Sequence, residues 1–169
     1  AMDSVEAYIR ELRQIRASGA GVDETSYYGA LTTLLNEIGK TLKPKVRCIL
    51  QLQNSGAGMP DGGLFSAEQF QRARDAEPTA GQKPARGALE VKSTGEDIEQ
   101  TVQSAQVAKY VEHYGLVLVT NYRQFVLVQQ SAGGKPVALE RYSLASSEVE
   151  FWARAAHPLK MAEEHGEEL

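Results

Sequence analysis

One cysteine, Cys48, stands in 169 residues. A single thiol makes no internal disulfide and no thiolate zinc site, and its isolation fits a reducing cytoplasm. The three histidines need not be ligands: His157 precedes Pro158 at a helix exit, and His165 lies near the end of the chain. No apolar run approaches the roughly 18 residues of a membrane span, so no membrane partner is expected. No signal peptide is expected at the start, because Asp3, Glu6, Arg10, Glu11, Arg13 and Arg16 alternate through the first turns. Walker and nucleophile-elbow patterns are missing as well, which leaves the chain without an ATP site of its own. Basic charge is not in excess: 18 Lys and Arg face 22 Asp and Glu, a net charge of −4. A chain so balanced does not hold nucleic acid by bulk charge. Action on DNA would need a local site, a metal or a companion domain.

What is present is ordinary globular material, 42% hydrophobic and 24% charged, enough to bury a core in one domain. Ala1 ahead of Met2 reads as a vector remnant. Residues 1–158 are expected to form the domain. Residues 159–169, rich in Glu163, Glu164, Glu167 and Glu168, read as an acidic tail, either a solvated helix or the start of a linker to a following domain.

Asp3 or Ser4 caps a first helix, with Val5, Tyr8, Ile9, Leu12 and Ile15 on one stripe. A second helix opens at residues 23–25 and buries Tyr27, Leu31, Leu34, Leu35, Ile38 and Leu42 before Pro44 stops it. The period then changes to two over residues 46–53, a strand. A Gly-rich turn leads into a short strand at 62–65. Ser66 and Gln69 form a capping box for a short helix carrying Phe70. Residues 75–87 read as a long polar loop, and 88–92 as a third strand. A third long helix spans 96–114 and closes on Gly115. Residues 116–119 have the apolar character of a strand buried on both faces. Two further segments, 124–129 and 137–142, pair across Gly133-Gly134, and Ser146 or Ser147 caps a last helix carrying Trp152 as a core anchor. Two helices, three strands, a helix and more strands predict an α/β (α+β) fold, a central mixed sheet flanked by helices.

Four groups of residues carry chemistry. In a strand, Glu90 and Lys92 share a face while Leu89 and Val91 point the other way. A surface ion pair and a metal ligand beside a water-positioning lysine both fit this pattern. Pro60-Asp61 sits where a Gly-rich turn enters a strand, either as a simple turn or as a carboxylate brought beside Glu90 by strand pairing. Two carboxylates on one side of a sheet repel unless a cation lies between them, and oxygen-only ligation suits Mg2+ or Mn2+. On the helix at 96–114, Gln103, Gln106, Tyr110 and His113 fall within an arc of about 80°. Gln106 and Tyr110 reach one side together, as an ordinary polar face or as part of a site. Glu37 lies roughly 100° from the centre of its helix's apolar stripe, a rim position suited to solvation or to reaching a metal or its water.

The order Glu37, Pro60-Asp61, Glu90-Val91-Lys92, Gln106-x-x-x-Tyr110 resembles the PD-(D/E)XK nuclease superfamily, over roughly two-thirds of the chain. The Gln-x-x-x-Tyr helix resembles the branch of recombination exonucleases and restriction-enzyme nuclease modules. Residues 116–119 followed by Thr120-Asn121-Tyr122 resemble the nuclease modules of type I-like, single-polypeptide (type ISP) restriction enzymes. The resemblance implies a restriction-endonuclease-like core and a Mg2+-dependent endodeoxyribonuclease acting on double-stranded DNA, with Mn2+ as substitute. Asp61, Glu90 and the carbonyl of Val91 would bind the metal. Lys92 would orient or deprotonate the attacking water, Glu37 would hold a metal-bound water or a second ion, and Gln106 and Tyr110 would position Lys92 or touch a phosphate.

It further implies an N-terminal part of a larger restriction-modification enzyme, in a bacterial or archaeal cytoplasm, with motor and methyltransferase or recognition domains as partners. The alternative is a catalytically silent nuclease-like module that docks or positions DNA. One departure stands out, the 28 residues (62–89) between Asp61 and Glu90. That insertion holds Arg72, Arg74, Lys83 and Arg86, which either solvate a loop or reach DNA phosphates. Lys109 and Arg123 are further phosphate-contact candidates.

Overall fold

The computed structural model describes residues 3–19, 24–50, 60–72 and 83–165, apart from the side chains of residues 24 and 70–72. Helix α1, Ser4–Ala17, is capped by Asp3, whose carboxylate accepts from the Val5 N–H at 2.7 Å. A 3-10 turn, Glu24–Tyr27, feeds α2, Tyr28–Gly39. Strands β1, Val46–Leu50, and β2, Gly62–Ser66, follow, then the short α3, Ala67–Arg72, and β3, Gly87–Val91. Helices α4, Ile98–Val102, and α5, Ala105–Tyr114, lead to β4, Leu116–Thr120. Strands β5, Gln124–Gln130, and β6, Pro136–Ser143, precede α6, Glu148–Ala155, and α7, Pro158–His165.

The six strands form one mixed sheet in the order β1-β2-β3-β4-β5-β6. Every neighbouring pair is antiparallel except β3 and β4, which run parallel and are joined across α4 and α5. A parallel pair requires such a crossover. Alternation along β3 divides the core. Leu89 and Val91 face α1, α2, α6 and α7, while Ala88 faces α4 and α5 together with Val117, Val119, Val126 and Val128. The result is an α/β fold with helices on both faces of the sheet.

Several local expectations are met for the stated reasons. The capping box closes reciprocally: Gln69 N–H donates to Ser66 Oγ at 3.3 Å, and Ser66 N–H donates to Gln69 Oε1 at 3.0 Å. Gly115 ends α5 at a φ of +83°, its N–H bound to Val111 O at 2.8 Å. Ser147 caps α6 by accepting from Glu150 N–H at 3.1 Å. The 28-residue separation does not prevent β2 from pairing with β3. Gln69 explains part of this. Its side chain also accepts from Ala85 N–H at 3.1 Å and donates to Lys83 O at 2.8 Å, holding the returning chain beside the departing one.

Other expectations are corrected. The helix expected over 96–114 is two helices, because the Ser104 hydroxyl accepts from Val107 N–H at 3.2 Å and starts α5 afresh. Gln103 therefore caps α4, on a different helix from Gln106, Tyr110 and His113. The acidic segment from residue 159 is helical, as α7, but not merely solvated: it buries Met161 and Ala162 in the core beside α1. Strand β4 is not buried on both faces. Val117 and Val119 are buried, but Leu116 and Leu118 line an apolar cavity of about 610 Å3 with Leu64 and Leu127. Helix α2 packs on β1 and leaves this part of the sheet partly open. Trp152 is partly buried, against Tyr27 and Phe151, with the Arg16 guanidinium 4.3 Å above its ring. Residues 51–53 of the first expected strand and most of the expected loop at 75–87 lie outside the described residues.

Two predictions follow from the packing. Gly87 adopts a φ of +132°, and a Cβ there would lie 2.6 Å from Leu116 O. Gly87→Ala is expected to cost about 2–3 kcal/mol in denaturant unfolding. Burial pushes the Cys48 thiol up to about 12 from 9.0. A raised folded-state pKa means stability complete below pH 9 and lost as the pH rises towards 12, by about 4 kcal/mol. Cys48→Ala should flatten that part of the alkaline stability profile, read by thermal melts between pH 8 and 12.

Candidate active site

The β2–β3 register pairs Gly62 with Leu89 and Gly63 with Ala88. Carried one residue further, it sets Asp61 opposite Glu90. Asp61 Oδ2 accepts from Val91 N–H at 2.6 Å, so this carboxylate reaches across to the backbone of β3. Glu90 is only 4% exposed, and its Oε2 is shut away from solvent. It lies on the α4–α5 face of β3, the face it shares with Ala88.

Above it, α5 supplies Tyr110 and Gln106. Gln106 Nε2 donates to the Tyr110 hydroxyl at 2.9 Å, the i, i+4 contact their spacing permits. Burial pushes the Tyr110 hydroxyl up from its ordinary value, and the negative charges of Glu90 and Asp61 push it further. The Gln106 hydrogen bond opposes them by favouring the phenolate. One hydroxyl thus feels both carboxylates. Lys92, half-buried and two residues past Glu90, begins the segment after β3, and its N–H donates to Thr120 O at 2.8 Å.

The structure therefore brings Asp61, Glu90, Val91, Gln106 and Tyr110 together, with Lys92 next in the chain. It does not link Glu37 to them. Glu37 is half-exposed on α2 and pairs with Lys40 at 2.9 Å. Among the described residues no group of three or more His, Cys, Asp and Glu side chains is arranged to hold a metal. The donor set on offer is two carboxylates and the Val91 carbonyl, all oxygen. A hard divalent cation that keeps several waters fits such a set.

The phosphate-contact candidates divide. Lys109 is exposed on α5. Arg74 and the side chain of Arg72 lie outside the described residues. Lys83 sits 5.8 Å from the Tyr114 ring, and Arg86 is exposed. Arg123 is a correction, because it is 5% exposed and turned inward. Its Nε donates to Thr94 O at 2.7 Å, Nη1 to Ser146 O at 3.0 Å and to Ala145 O at 3.3 Å, and Nη2 to Glu96 O at 3.3 Å. With its donors committed to carbonyls, this guanidinium is not available to a phosphate. Burial lowers its pKa, while Glu148 and Asp97 push it back up.

Sequence reasoning missed this inner network and its partners Thr94, Asn121 and Glu148. The available signal was the polar run Thr120-Asn121-Tyr122-Arg123 directly after an apolar strand. Asn121 Oδ1 accepts from Gln124 N–H at 2.8 Å and Arg123 N–H at 3.3 Å, while Tyr122 takes a φ of +75° and its carbonyl accepts from the Tyr8 hydroxyl at 2.7 Å.

No family model and no curated protein matches the chain. A solved structure described as "cryoEM structure DrdV-DNA complex" contains a chain similar to this one at 22% identity, with a TM-score of 0.56. The match covers 91% of this chain and 14% of that one. It supports the α/β fold, a mixed six-stranded sheet between helices. Among the described residues no helix is long and apolar enough to cross a membrane.

The Arg123 network generates a prediction. Arg123→Met fills similar volume but removes a donor from four backbone carbonyls, of which Glu96 O keeps another in Asn121 Nδ2, and leaves Glu148 facing no guanidinium. We expect a loss of about 3–5 kcal/mol in chemical unfolding, well above that of an exposed Arg→Met change.

Proposed function

We propose that this chain is a metal-dependent DNA nuclease module of the PD-(D/E)XK kind, working within a larger restriction-modification enzyme. The observation that carries this reading is the Asp61 carboxylate bound to the Val91 N–H, alongside the buried Glu90 and beneath Tyr110 and Gln106. Supporting it, Asp61 immediately precedes β2, Glu90 and Val91 lie on β3 with Lys92 just past its end, and Gln106 and Tyr110 lie on α5.

Asp61, Glu90 and the Val91 carbonyl would hold Mg2+ or Mn2+. Such an ion, when bound, neutralises charge growing on a phosphate and acidifies a coordinated water. The chain's own residues set the geometry. Asp61 is fixed by its backbone hydrogen bond, so its free oxygen keeps one direction. Burial of Glu90 makes any interaction with a cation stronger than it would be in water. Continued by one residue, the alternation of β3 would turn Lys92 to the face of Glu90, where its ammonium would orient an attacking water or steady the scissile phosphate. The Gln106–Tyr110 pair places a hydroxyl and an amide beside the carboxylates for contact with Lys92 or with a phosphate oxygen.

Double-stranded DNA is the substrate this reading implies, and the similar chain belongs to a structure described as a DNA complex. With a net charge of −4 and Arg123 turned inward, the module would draw most of its DNA affinity from motor and recognition domains beyond it.

The test is plasmid nicking at high protein concentration with Mn2+ or Mg2+. Wild type is expected to nick. Lys92→Ala and Asp61→Ala are each expected to be slower by about a hundredfold or more, and chelator should abolish the activity. Nicking that survives both substitutions would reject these roles. An inactive wild type would favour a silent docking module instead.

A further inference from the structure

Beyond β3 the chain is fastened more tightly than a connecting segment requires. Lys92 N–H is bound to Thr120 O at 2.8 Å. Two residues later Thr94 is buried, and both of its polar ends are engaged: its carbonyl accepts from Arg123 Nε, and its hydroxyl donates to a Glu148 carboxylate oxygen. Glu96 O accepts from Asn121 Nδ2 at 2.9 Å and from Arg123 Nη2. Between them, Gly95 leaves room for the same carboxylate, since a Cβ there would lie 3.4 Å from Glu148 Oε2.

Glu148 is the first residue of α6, a helix anchored in the core by Phe151 and Ala155. A carboxylate in a first turn is favoured by the helix dipole. The Thr94 hydroxyl is therefore a side-chain link from the Lys92 segment to a rigid helix. Backbone bonds hold that segment at its start, at Lys92. Side chains of Arg123, Asn121 and Glu148 hold it from Thr94 onward.

We propose that Thr94 and Glu148 are positioning residues for Lys92: their contact locks residues 92–96 against β4 and α6, and so fixes the line along which the lysine approaches the Asp61–Glu90 pair. The catalytic half of this inference rests on the nuclease reading above. The anchoring half does not. Placement matters here because a misplacement of about 1 Å remote from the chemistry can cost about a hundredfold in rate.

Residue-resolved amide hydrogen exchange and Mn2+-dependent plasmid nicking, run on the same samples, test it. Thr94→Val keeps the shape and removes the hydroxyl, whereas Thr94→Ser keeps the hydroxyl. We expect Thr94→Val to speed exchange of the Lys92 amide by about tenfold or more, leaving the Val91 amide, held by Asp61, unchanged. Its maximal nicking rate should fall about tenfold, with the DNA and Mn2+ concentrations at half-saturation unmoved. Thr94→Ser should behave as wild type in every readout. If Thr94→Val does not fold, Glu148→Ala is read in the same way.

Unchanged Lys92 exchange in the variant overturns the inference, whatever the nicking assay gives. Faster exchange with an undiminished nicking rate overturns the positioning role. Faster exchange in a protein whose wild type does not nick upholds the anchor and rejects the nuclease reading, so the two failures are told apart.

Discussion

A buried guanidinium governs how the loops of this fold meet. Arg123 carries its charge into the protein at the tight connection between β4 and β5, where water cannot solvate it. Desolvating such a group costs several kcal/mol, and the cost is offset only if nearly every donor finds an acceptor. Besides Gln124 Oε1 next in the chain, the acceptors are backbone carbonyls from two distant places, Thr94 and Glu96 after β3, and Ala145 and Ser146 before α6. Neither loop can move without stranding a charge. The unusual backbone of Tyr122 belongs to the same economy of space, because it lets four successive residues turn while Thr120, Asn121 and Arg123 all bond inward.

On that frame the sheet does the rest. Antiparallel pairing of β2 with β3 converts 28 intervening residues into a separation of one strand spacing. The pleat then sends Glu90 to the α4–α5 side, where Tyr110 closes over it, and sends Leu89 and Val91 into the opposite core. The same residue thus has an apolar neighbour on either side in sequence and a polar ceiling in space. A buried acid in that position is costly to the fold.

Much of this was legible in the sequence. Period-two alternation marked the strands, and Asp3, Ser66 with Gln69, Gly115 and Ser147 marked helix ends, because caps are local chemistry written in a few residues. The pleat also announced that Glu90 would face away from Leu89 and Val91. The break at Ser104 was harder, since apolar periodicity runs through it from Ile98 to Val111 and only a hydroxyl interrupts. Arg123 was misread for a physical reason. Arginine is seldom buried, and nothing local announces that four carbonyls from remote loops will converge on it. Residues 159–165 misled through their glutamates, which line the outer side of α7 while Met161 and Ala162 face inward.

The bifurcated grip of Gln69 has a consequence for the register of β2 on β3. One amide binds the start of α3 and the returning chain at Lys83 and Ala85. The two ends of the intervening stretch are therefore set at fixed points before β3 begins. Closing a chain between fixed points costs entropy only as the logarithm of its length, with each doubling adding about 0.6 kcal/mol. The pairing that opposes Asp61 to Glu90 is held in register by a side-chain clasp as well as by its own ladder. Gln69 thus pins the end of the β2–β3 pair opposite to the one where Asp61 meets Glu90, so the carboxylate end does not depend on the intervening stretch.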